Sequence, residues 1–152
     1  MVGLYDGTDS TTEHFCGPDP LPVDNAQYCY VDNSVSWDQS FMQDGYTTGK
    51  YWVYMVIAHE WGHAVVEQNP EIEWGEPELQ ADCLAGAALY GGATDGLIAF
   101  GPDATKEFAT DLSQIGDEAS WSETNDHGDS LQRVNFFSLG KEYGVNGCLG
   151  DD

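Results

Sequence analysis

Positive charge is the first thing this sequence lacks. Its 152 residues carry four Lys and Arg against 27 Asp and Glu, a formal net charge of −23. Such a surface repels nucleic-acid phosphates and anionic lipid headgroups, so neither is expected as a partner. Long apolar runs are missing too. The longest, Tyr51 to Ala58, is too short to span a bilayer, and no membrane insertion is expected. The stretch after Met1 is polar and acidic, so no secretion leader is visible. No Cys-x-x-Cys pair occurs, which excludes a thiolate zinc knuckle.

What remains suffices for one folded domain over residues 1–152. Hydrophobic residues make up 41% of the chain, with five Trp, eight Tyr and six Phe, enough for a real core. The four cysteines, Cys16, Cys29, Cys83 and Cys148, form an even set that reads as two disulfides made in an oxidising compartment. Of the three pairings, Cys16–Cys29 with Cys83–Cys148 is favoured. The first closes a short loop rich in Pro and Asp, and the second ties the tail to a central helix. Four free thiols in a cytosolic protein are the alternative. An extracytoplasmic or secreted location is expected, and the acidic excess fits either a saline setting or an ordinary solvated face.

The pattern of residues predicts a mostly helical α+β domain with a small sheet packed on the helix from about Lys50 to Gln68. Residues 1–27 are rich in Gly, Pro, Asp and Thr and read as an irregular arm. Ser34 to Asp38 alternates polar with apolar, as a short strand does. Thr47-Thr48-Gly49 opens a helix from about Lys50 to Gln68, stopped by Asn69-Pro70. Pro77 suits the first turn of a second helix, which reaches about Tyr90 and ends at Gly91-Gly92. A third helix is expected over Pro102 to Ile115, with Phe108, Leu112 and Ile115 as its apolar stripe. A fourth is expected over Ser130 to Tyr143, with Leu131, Val134 and Phe137 facing inward.

One motif carries chemistry. His59-Glu60-Trp61-Gly62-His63 places two imidazoles four residues apart on one helical face. Two such rings can converge on one Zn²⁺, and Glu60 then lies beside the position a water would take. The surrounding helix is strongly apolar, and burying two His and a Glu there is costly unless something pairs with them. A third ligand comes from Glu78-Leu79-Gln80-Ala81-Asp82. Glu78 can ligate while Asp82 accepts the N–H of a liganding imidazole and fixes its tautomer; the reverse assignment is also open. Arg133, the only arginine, either pairs with a carboxylate such as Asp82 or orients a substrate carbonyl. His127 is a candidate catalytic donor to the oxyanion of a tetrahedral intermediate.

Several ordered blocks resemble the bacterial family of neutral zinc metallopeptidases. They are Asn25 to Cys29 with Ser34 to Asp38, Ala58 to Val65, Glu78 to Gly86, Ile115 to Glu118, His127 to Val134, and Cys148. Tyr30 departs from the family, which commonly has Pro there. The resemblance implies a zincin-like fold with His59, His63 and Glu78 as Zn²⁺ ligands, Glu60 as general base and Asp82 behind the ligands. The activity expected is hydrolysis of a peptide or protein substrate, and a monomer is expected. Two other readings keep the same ligands. One is a hydrolase of non-peptide amides. The other is a non-catalytic zinc-stabilised binding module, its fourth coordination position blocked by a side chain from the Asn69–Gly75 loop.

Overall fold

The computed structural model describes residues 2–9, 14–72, 75–115 and 129–149. It is a mixed α+β chain. Three strands, β1 (Val2–Tyr5), β4 (Ala26–Cys29) and β5 (Ser34–Asp38), form a sheet in the order β1-β5-β4. β1 runs parallel to β5 and β4 antiparallel to it, with Ala26 opposite Trp37 and Cys29 opposite Ser34. A two-stranded ribbon, β2 (Phe15–Cys16) with β3 (Asp19–Pro20), lies between β1 and β4 in the chain. Five helices follow: α1 (Gln39–Thr48), α2 (Trp52–Gln68), α3 (Pro77–Thr94), α4 (Ala104–Ile115) and α5 (Ser130–Tyr143).

Segment 1–27 is therefore not an irregular arm. It supplies β1 to β3 and the start of β4. Its Gly, Pro and Asp residues serve tight connections: Asp24 and Gly17 both have positive φ, a conformation open to Gly and tolerated by Asp. The ribbon is pinned to the sheet by the Cys16–Cys29 disulfide. Asp38, fully buried, ends β5 and caps α1. Its carboxylate accepts from the backbone N–H of Ser40 at 3.0 Å and of Asp24 at 2.9 Å. That fastens α1 and the connection before β4 to one side chain.

α1 has no counterpart among the expected helices. It buries Met42 and Gly45 and packs Phe41 against the core, and its start is set by the Asp38 cap. The next helix begins at Trp52 rather than Lys50 and ends against Asn69 as expected. α3 runs through Gly91-Gly92 to Thr94, because two glycines late in a helix lower its stability without forcing a stop. α4 starts at Ala104, two residues after Pro102. Over Ser130–Tyr143 the expected bounds hold. A reciprocal cap sets its start, with Asp129 accepting from Gln132 N–H at 2.8 Å and Gln132 accepting from Asp129 N–H at 2.9 Å. Leu131 faces outward at 68% exposure, since it stands in the first turn beyond the reach of the core.

α3 is the centre of the molecule, packed against both α2 and α5. Small residues set those approaches. A Cβ on Gly62 of α2 would lie 2.8 Å from the Ala81 backbone of α3, and one on Gly140 of α5 would strike the Cys83 carbonyl. One side of the core gathers Met55, Val56, Ala85, Phe108, Leu112 and Phe137. The other is centred on the buried Cys83–Cys148 disulfide, with Val66 and Leu84. Both disulfides have the favoured pairing. No helix is long and apolar enough to cross a membrane among the described residues.

Candidate metal centre

α2 presents His59 and His63 one turn apart, and the first turn of α3 presents Glu78. The contact of Gly62 with Ala81 lets these two helices meet backbone to backbone, which brings the three side chains together. Nε2 of His59 is 3.1 Å from Nε2 of His63. Glu78 reaches His59 Nε2 through Oε2 and His63 Nε2 through Oε1, each at 3.2 Å. These separations are close to the edge of about 3.3 Å in a tetrahedron with metal–nitrogen bonds of about 2.0–2.1 Å. Among the described residues this is the one group of three or more His, Cys, Asp or Glu whose donor atoms lie within 4.8 Å of one another. It can hold a metal ion.

Of the two carboxylates on this face of α3, Glu78 is the one whose oxygens join both imidazole Nε2 atoms. Asp82 stands one turn further along α3, fully buried, and Oδ1 is 2.8 Å from His59 Nδ1. An ionised carboxylate only accepts, so His59 donates from Nδ1, and its Nε2 is turned toward Glu78 and His63. Arg133, at 1% exposure, reaches Asp82 from α5 with a fork: Nε donates to Oδ2 at 2.7 Å and Nη2 to Oδ1 at 2.9 Å. The chain's one arginine thus backs the carboxylate that backs the histidine, and it also forms part of the cavity wall.

The charges are strongly coupled. Burial alone disfavours the imidazolium of His59, but the charge and hydrogen bond of Asp82, then those of Glu78, outweigh it and push the pKa up to about 10. Burial likewise opposes ionisation of Glu78, yet its hydrogen bonds to His59 and His63 hold the carboxyl far below the usual range. Asp82 is also held low against burial, by His59 and Arg133. Without a metal, the cluster therefore keeps a positive charge on His59 between two carboxylates. Two nitrogens and a carboxylate around a stabilised positive charge are the donor set a divalent cation of intermediate softness takes.

Glu60 is 8% exposed and lies in the wall of a cavity of ≈ 590 Å³ that also takes in His59, His63 and Glu78. The opposite wall comes from Asn25, Ala26, Gln27 and Tyr28. The sequence pattern does not point to that wall, since burial along β4 follows no two-residue alternation. β5 does not edge this cleft. It lies between β1 and β4, which are both edge strands among the described residues, and β4 is the one that lines the cavity. Pro70 lines the cavity as well. His127 lies outside the described residues, as do residues 73–74 of the loop before α3.

Comparison with known proteins places three mycobacterial sequences beside this chain. Uncharacterized proteins of Mycobacterium bovis and of two strains of Mycobacterium tuberculosis are each 28% identical to it over 162 aligned positions. The alignments cover 85% of this chain and 55% of each relative, so the chain spans about half the length of the curated relatives it matches. No family profile matches the chain, and no solved structure does.

Proposed function

We propose that this chain is a zinc-dependent peptidase of the zincin type, related to the bacterial neutral zinc metallopeptidases. The observation that carries the reading is the convergence of His59, His63 and Glu78 on a cavity that Glu60 also lines. His59 and His63 would hold Zn²⁺ through Nε2 and Glu78 through its carboxylate. Zinc so held supplies a Lewis acid for a peptide carbonyl and acidifies water. Glu60 takes the proton of the attacking water on its carboxylate and returns it to the leaving amine. Asp82 keeps His59 in the Nδ1–H tautomer throughout, and Arg133 keeps Asp82 ionised and in place. The free edge of β4, beside the cavity, can pair with an extended substrate through backbone hydrogen bonds. Two disulfides fit synthesis for an oxidising, extracytoplasmic setting.

The test is digestion of a broad peptide library by the metal-loaded protein, with and without a chelator. Glu60→Gln is expected to retain stoichiometric zinc and to lose hydrolysis by at least about 100-fold, the lower range for a general base. Full activity in that variant removes Glu60 from the role. Zinc binding with no cleavage of any peptide favours a zinc-stabilised binding module instead.

A further inference from the structure

A second cavity, of ≈ 420 Å³, lies between the end of α1 and the first turns of α4. It shares no lining residue with the cavity at His59. Thr48 and Gly49 form one side, and Asp103, Lys106, Glu107 and Asp111 contribute the other. Asp111 is the unusual member. It is 2% exposed, and its Oδ2 is buried with no hydrogen-bond partner among the described residues. Gly49 approaches it so closely that a Cβ there would lie 2.8 Å from Oδ1. A carboxylate taken out of water without a donor or a counter-charge is strongly unfavourable.

The two lysines nearby do not relieve it. Lys50 is 3.9 Å from Glu107 Oε1 and rests 4.7 Å from the centre of the Tyr51 ring. Lys106 lines the cavity without an ion pair to Asp111 among the described residues. Protonation relieves it only in part, because burial, then the charge of Glu107, raises the Asp111 pKa to about 6, still below neutrality. The oxygen atoms around the cavity come from carboxylates, from Thr48 and Thr110, and from the backbone at the C-terminal end of α1, where the Gly49 carbonyl also accepts from Trp52 N–H at 3.1 Å. The last carbonyls of a helix lack intrahelical partners and carry the negative end of its dipole. The cavity offers no imidazole or thiolate. Its acceptors are all oxygens, with the Lys106 ammonium as the one cationic group among the described lining residues; oxygen acceptors suit a hard cation, and Ca²⁺ accepts irregular shells completed by water.

We propose that Asp111 and Glu107, with carbonyl oxygens at the end of α1, form a calcium site that fastens α4 to the α1–α2 corner. Asp103, Glu107 and Asp111 do not close within 4.8 Å as the histidine cluster does. The site therefore uses two carboxylates, with backbone and water oxygens filling the rest of the shell. It is independent of the peptidase reading.

The experiment is calcium titration of the zinc-loaded protein by calorimetry and by thermal melting, near neutral pH. About 0.3 M KCl suppresses diffuse binding to the acidic surface. Wild type is expected to bind one Ca²⁺ with a Kd on the order of 10⁻⁴–10⁻³ M, the range of extracellular calcium modules, and to melt higher when loaded. Asp111→Asn is expected to weaken binding at least about 10-fold, a loss of about 1.4 kcal/mol. In calcium-free buffer the same variant is expected to melt at or above wild type, since it removes the buried charge. Glu107→Gln, on the exposed side of the cavity, gives the same loss of binding if Asp111→Asn fails to fold. Equal calcium stabilisation of wild type and both variants overturns the proposal. So does the absence of any calcium effect on wild type up to about 10 mM, an order of magnitude above the weakest such sites.

Discussion

Arg133 and Asp82 show how much one side chain can carry in this molecule. Both are buried and joined by a forked ion pair, and Asp82 then holds His59. Arg133→Ala leaves Asp82 buried with half its compensation gone. A loss of about 3–5 kcal/mol of stability is expected by urea denaturation. Arg133→Lys keeps the charge and loses the fork. It is expected to fold and to bind zinc about 10-fold more weakly, as substitutions behind a liganding histidine do. Glu78→Ala is expected to lose the metal by elemental analysis, whereas stoichiometric zinc in that variant would pass the ligand role to Asp82. Asp111 supplies a pH test in calcium-free buffer. Its folded pKa of about 6, raised by burial and then by Glu107, lies above the ordinary carboxylate value of about 3.9. The folded state therefore holds that proton more tightly than the unfolded chain does. This contribution to stability is full below about pH 4 and is lost as the pH rises through about 6. Subtracting the Asp111→Asn stability profile from that of wild type should expose this decline.

At the scale of elements, the distance between α2 and α3 decides whether His59, His63 and Glu78 meet. Gly62→Ala would push α2 away from the Ala81 backbone. Weakened zinc binding is expected, by competition with a chromogenic chelator, although every ligand remains. The disulfides can be ranked by the loops they close, of separation 13 for Cys16–Cys29 and 65 for Cys83–Cys148. The chain entropy removed by closing them is worth about 3 and about 4 kcal/mol respectively, and denaturation of Cys→Ala pairs checks the order. The sequence was legible where one physical signal dominated. Phe108 and Leu112 mark the buried face of α4, both 0% exposed, and Val134 and Phe137 mark the inward face of α5. It was illegible where pairing partners are distant. β1 is four residues with no alternation of its own, ordered by register with Val35 to Asp38 across thirty-odd residues. α1 starts on the Asp38 cap and sets Phe41 against Trp52 of α2, a contact between elements. The candidate site divides the same way. Spacing within α2 and within α3 exposed His59, His63, Glu78 and Asp82, and the lone arginine pointed to the pair that Arg133 makes with Asp82, while the β4 wall depends on tertiary packing.

Over the whole molecule, self-repulsion outweighs any single charge pair. A net charge of −23 on 152 residues opposes compaction, and dissolved salt screens it over a Debye length of about 10 Å at 0.1 M and about 3 Å at 1 M. The melting temperature is expected to rise with KCl between those concentrations, and a flat profile would show that the surface charges are already locally balanced. The Cys83–Cys148 bridge has a different consequence. It joins α3, next to Asp82, to the residues after α5. A protease that cuts between Cys83 and Arg133 leaves two pieces in one covalent particle. His59, His63 and Glu78 stay on one piece and Arg133 on the other, still tethered at the core. A singly nicked chain can therefore keep His59, His63 and Glu78 assembled, and only a reductant lets the halves part.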